Sequence, residues 1–106
     1  MNQPRKNGLP NSQMSTEKDQ LLKYRDDYVV VDTTSSYIYI GKLVDVTENM
    51  LTLRDADVHD SRESTTMNEK YIMETKKYGV RSNRHLVHIR FDKIISLSRL
   101  DDVVEY

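Results

Sequence analysis

Three short clusters in this 106-residue chain hold residue types that do chemistry. His85 and His88 form an H-x-x-H pair. On a helix that spacing would present both imidazoles on one face to a metal, whereas on a strand it sends them to opposite faces. The surrounding run, His85-Leu-Val-His-Ile-Arg-Phe91, alternates like a strand, so joint ligation is not expected. Asp55 and Asp57 share a parity and could attract a cation, although acids on a solvated strand face are far more common. His59-Asp60-Ser61 has the residue types of a nucleophilic triad, but a triad is defined by spatial roles and not by adjacency. Three glycines leave no Gly-rich phosphate loop. The expectation is therefore no catalytic residue, no metal site, no cofactor and no enzyme.

Binding is the better prospect. Tyr24, Tyr28, Tyr37, Tyr39, Tyr71, Tyr78 and Tyr106 can stack on bases, or fill a core rim or a subunit interface, which is commoner. The net charge of −1 argues against an obligate polyanion binder, but the charges are unevenly spread. From Asp26 to Glu63 acids dominate; from Lys70 to Lys93 bases do. Either the two regions pair, within or between subunits, or the second is an anion-binding face.

The elements that must position these residues are mostly strands. Tyr37 to Asp57 reads as two strands joined at Thr47-Glu48-Asn49. Ile38, Ile40, Val44 and Val46 share one parity in the first. In the second, the core parity changes from Leu51 and Leu53 to Ala56 and Val58. Gly41 interrupts the first strand, as at a bulge or a close backbone approach. Two facing interruptions predict a strongly bent hairpin that curls toward a small barrel.

Before the hairpin, residues 1–14 lack periodicity and read as a disordered tail ahead of a domain over 15–106. Ser15 or Thr16 suits a helix N-cap, with the helix reaching about Arg25. Tyr28 to Thr34 is a β-branched first strand. Residues 59–84 form a long insert, favoured as helical from Met67 to a cap at Gly79; Tyr71-Ile-Met73 also suits an extended excursion. Met67, Tyr71, Glu74 and Tyr78 keep the helical spacing. His85 to Phe91 and Ile94 to Leu100 are the fourth and fifth strands, with Val87, Ile89 and Phe91 on one face and Leu86, His88 and Arg90 on the other. The chain has no cysteine, and its apolar runs are too short to span a membrane, so a cytoplasmic protein with no membrane partner is expected.

The order of helix, three-strand meander, variable insert and two-strand hairpin resembles the Sm-like (LSm, Hfq-type) family. Gly41, Leu43 and Met50 match its first motif, and Ile89-Arg90-Phe91-Asp92-Lys93-Ile94 matches its second. The resemblance covers residues 16–58 and 85–100. It implies a mainly-β, five-stranded, strongly bent antiparallel small barrel with an N-terminal helix, assembled as a homo-oligomeric ring. It also implies RNA or single-stranded nucleic-acid binding, with Arg90, Met50, Lys93, His88 and Thr47 as the site. Three positions depart from the family: Thr47 stands where Asp is usual, Leu51 where Asn is usual, and Phe91 where glycine follows the arginine. The alternative is a structural or protein-interaction scaffold that has lost the RNA pocket, with Arg90 paired to Asp45, Asp55 or another acid across a subunit boundary.

Overall fold

The structure is a computed structural model that describes residues 17–63 and 67–105. The expected tail and the cap at Ser15 or Thr16 lie outside the described residues, as does Tyr106. A short helix, α1 (Glu17–Leu22), precedes strands β1 (Tyr28–Thr33), β2 (Tyr37–Val46) and β3 (Met50–Asp60). Helix α2 (Asn68–Tyr78) follows, then β4 (Arg84–Arg90) and β5 (Ile94–Arg99). The α-helical part of α1 ends earlier than Arg25; tighter turns continue it, with the Tyr24 and Arg25 amides bonded to the Leu21 and Leu22 carbonyls. The backbone then reverses at Asp26, with φ 73°.

All strand pairings are antiparallel, in the order β4-β3-β2-β1-β5. The hairpin is bent as its broken parity requires. The β2–β3 register shifts between Ile40 and Lys42 and again between Leu43 and Asp45. Asp55 takes φ 50° at the first shift, so one extra β3 residue is accommodated opposite Gly41. The glycine is needed for space: a Cβ there would lie 2.9 Å from Ala56 Cβ and 3.0 Å from its Cα. The second shift corrects one expectation. Leu43 and not Val44 is buried, and it joins Val46 in one cluster while Ile38 and Ile40 belong to another. The barrel does not close within one chain, because β4 pairs only with β3 and β5 only with β1 among the described residues.

Two apolar clusters explain the run Val29-Val30-Val31. Val29 and Val31 pack inside the bend with Leu43, Leu51, Leu53, Ala56 and Ile89. Val30 faces the other way, into a second cluster with Ile38, Ile40, Ile72 and Leu100. A strand covered on both faces reads as a continuous apolar run instead of an alternation. Helix α2 supplies the second cover. It ends at Gly79, with φ 101°, whose amide bonds the Thr75 carbonyl at 2.8 Å. Its buried face is Ile72 and Thr75, with Tyr71 half-buried; Met67 and Tyr78, expected on the same stripe as Tyr71, are each 75% exposed. Lys76 Nζ ties the helix to the chain's last residues by donating to the Asp101 carbonyl at 3.1 Å and to the Val103 carbonyl.

Candidate nucleic-acid interface

The bent meander brings the β2–β3 turn and the β4–β5 turn together. The Phe91 amide donates to the Asn49 carbonyl at 2.9 Å. Met50 pairs with Arg90, Thr52 with His88, and Arg54 with Leu86 across the β3–β4 ladder. Directly opposed residues share a face, and here it is the outer one: Met50, Arg54, Leu86, His88 and Arg90 are exposed, while Leu51, Leu53 and Ile89 face the core. Thr52 Oγ1 and His88 Nδ1 are 2.8 Å apart in a hydrogen bond that fixes the imidazole. Met50, Arg90 and His88 are thus neighbours, as the resemblance implies.

Lys93 ends a 3-10 turn, Phe91–Lys93, and its carbonyl accepts from the Thr34 amide at 2.9 Å. That bond sets the start of β5 against the end of β1. A depression of about 320 Å³ results, lined by Thr33, Ser35, Tyr37, Tyr39, Arg90 and Lys93 among others. The two tyrosines sit beside each other, ring centres 6.4 Å apart. Sequence reasoning placed neither tyrosine near Arg90, because the loop between β1 and β2 meets the β4–β5 turn only through the bend.

Thr47 is exposed, but its hydroxyl is engaged within the turn. Its hydroxyl accepts from the Met50 amide at 3.1 Å and the Asn49 amide at 3.3 Å, so it is occupied in shaping its own turn. Leu51 is fully buried and could not be replaced by a base-reading amide without burying a polar group. Arg90 forms no bond to Asp45 or Asp55 within the chain. Its Nε lies 3.4 Å from Asp92, both side chains largely exposed, and Asp45 meets Arg25 at 3.3 Å.

The other clusters are engaged elsewhere. The H-x-x-H is split across β4, with His88 held by Thr52. Asp55 sits at the bulge, while Asp57 accepts from the Tyr71 hydroxyl at 2.6 Å and the Asn83 amide at 3.3 Å. Burial, and then the bond to Asp57, push the Tyr71 hydroxyl well above the ordinary tyrosine range. His59 stacks on Tyr71, ring centres 3.8 Å apart, and its Nε2 is buried without a hydrogen-bond partner among the described residues. Asp60 receives the Arg62 guanidinium at 3.1 and 3.3 Å and the Arg62 amide at 3.0 Å. Those bonds hold its carboxyl at about 2, below the usual carboxylate range. Ser61 donates to the Ser36 carbonyl at 2.9 Å. His59, Asp60 and Ser61 therefore point to three different partners and form no relay.

No protein-family model and no curated protein matches the sequence. Among solved structures the chain resembles an Sm protein of Pyrococcus abyssii solved in complex with a uridine heptamer, at 18% identity and a TM-score of 0.54. The match covers 80% of this chain and 99% of that one. The likeness shows an Sm-like fold.

Proposed function

We propose that this Sm-like chain is a non-enzymatic RNA-binding protein acting as a homo-oligomeric ring in the cytoplasm. The pairing of Met50 with Arg90 at the junction of the two turns carries this reading. It presents an exposed guanidinium beside a flexible apolar side chain and an imidazole. Arg suits such a site because its planar fork can pair with phosphate and stack on a base. The structural neighbour was solved with a uridine heptamer, which agrees with a single-stranded ligand. The ring is supported by the two open edges: β4 and β5 carry Leu86, 50% exposed, and Ile95, 66% exposed, and an unpaired edge is a template for another strand. Head-to-tail pairing of β4 with a neighbour's β5 would close a ring and repeat Arg90 around its axis.

A specific observation favours a second reading. With Thr47 engaged in its own turn and Leu51 in the core, neither of the two positions that depart from the family supplies a carboxylate or amide to read a base. Binding should therefore be backbone-led and salt-sensitive with little base preference, and in the limit the chain is a scaffold that keeps the barrel alone. Titration of labelled oligo-uridine and oligo-adenosine at low and high salt, with native mass measured in parallel, separates the two. Salt-sensitive binding lost in Arg90→Ala, with assembly intact, supports the RNA reading; an assembly that binds neither oligonucleotide leaves the scaffold.

A further inference from the structure

From Thr75 to Phe91 the sequence holds five lysines and arginines, two histidines and no acid. The stretch is one continuous path from the end of α2, through the connector, along the whole of β4. We propose that this path is a nucleic-acid track. A single strand held at Arg90 runs along the outer face of β4 to the end of α2, where Arg84, Arg81 and Lys77 meet its phosphates and Tyr78 stacks on a base. This rests on the RNA reading above and extends the contact beyond the paired turns.

The pattern of ion pairs supports the track. Every ion pair among the described residues belongs to Arg25, Arg62, Arg90 or Arg99. None joins the acidic region, Asp26 to Glu63, to the basic one, so the pairing that the sequence left open does not occur within the chain. Lys77, Arg81 and Arg84 are exposed and belong to no ion pair. Three acids share depressions with these cations without pairing to them: Asp57 and Glu74 line one of about 500 Å³ with Arg81, and Glu74 and Glu105 line another with Lys77 and Tyr78. Asp57 is already bonded to Tyr71 and Asn83. Lys76 is excluded from the track, since it turns to the carbonyls of Asp101 and Val103.

The aromatic component is Tyr78, 75% exposed, with the Lys77 ammonium 5.5 Å from its ring centre. An exposed ring beside cations suits single-stranded nucleic acid, because every base has a face to stack. The link between the two ends is the outer face of the β3–β4 pair, where Leu86, His88 and Arg90 lie opposite Arg54, Thr52 and Met50 with no acid in either row. Six residue steps along β4 place Arg84 roughly 20 Å from Arg90 at about 3.3 Å each. A short oligonucleotide bound at Arg90 would not reach Tyr78, while a longer one would.

Length dependence is therefore the test. The full chain and the triple variant Lys77→Gln, Arg81→Gln, Arg84→Gln are titrated with oligo-uridines of about 3 and about 20 nucleotides across a salt series, and native mass is recorded for both. The track requires the salt slope for the long oligonucleotide to fall by about 2, since three phosphate contacts are lost at about 0.7 each, with the short one unchanged. Tyr78→Ala should weaken the long oligonucleotide alone, by roughly tenfold. If the triple variant binds the long oligonucleotide with the parent's slope, the track is wrong while binding at Arg90 stands. If its native mass changes, the cations serve contact with a second copy's acidic surface and the track is overturned. If the parent binds neither length, the RNA reading falls and the track falls with it.

Discussion

Met50 and Arg90 stand opposite each other at the last rung of the β3–β4 ladder, where the β2–β3 turn meets the β4–β5 turn. One comes from each of the two motifs that suggested a site, and the antiparallel pairing of β3 with β4 joins them. Arg90→Ala should remove most oligo-uridine binding and lower the salt slope by about 0.7 for each copy of Arg90 that meets a phosphate of the single strand. Arg90→Lys should keep that slope and lose affinity, because a point charge cannot stack or pair bidentately. Met50→Ala should weaken binding with the slope unchanged. Equal slopes in Arg90→Ala and the parent would remove Arg90 from the interface.

The open edges give a second expectation. Leu86→Lys combined with Ile95→Lys places charge on both unpaired strands at exposed positions, so the fold is spared. Light scattering should show a smaller species with unchanged far-ultraviolet circular dichroism. A parent that is monomeric at micromolar concentration would end the ring proposal outright.

Gly41 faces Ala56 too closely for any side chain. Gly41→Ala should destabilise the protein by about 1–3 kcal/mol, as overpacking does. Adding Ala56→Gly removes the Cβ that would be met at 2.9 Å, so the double variant should recover part of the loss. Independent, additive losses in denaturant titrations would show that this contact is not what limits position 41.

Asp60 carries an acid-dependent expectation. Its carboxyl is held at about 2 by Arg62, below the ordinary value near 3.8. A lowered folded-state value contributes stability that is present above the unfolded value and lost as pH falls through the folded one. The parent should therefore lose stability between pH 3.8 and about 2 more steeply than Asp60→Asn. Thermal melts across that window would show the difference, and parallel profiles would show that Arg62 does not stabilise the folded state through this carboxyl.

Much of the fold was legible because strand parity is a strong local signal. The facing breaks at Gly41 and after Leu53 were visible in the sequence and mark one real register shift. Val44 was misplaced because the second shift, at Leu43 and Asp45, carries no glycine or proline to announce it. The valine run of β1 hid its two-sided burial until α2 was seen to cover Val30. The site was legible only as residue types. The sequence brought Arg90 and Met50 together through family motifs, whereas the neighbouring Tyr37 and Tyr39 needed the folded bend. That Thr47 would spend its hydroxyl on its own turn could be learned only from the geometry.

Asn83 matters for what the protein avoids. Past the end of β4, strand β3 continues to Asp60 with one edge uncovered by any strand. There the Asn83 side chain accepts from the Val58 amide at 2.9 Å and donates to the Val58 carbonyl at 3.1 Å, imitating the rung that a further strand would make. The Asn83 backbone amide takes the Ala56 carbonyl at 2.9 Å. Stray chains looking for a sticky ribbon end find these groups already spoken for. That stretch of the β3 edge is thereby capped, which leaves β4 and β5 as the unpaired outer strands among the described residues, and their length would limit how much a neighbour could grip.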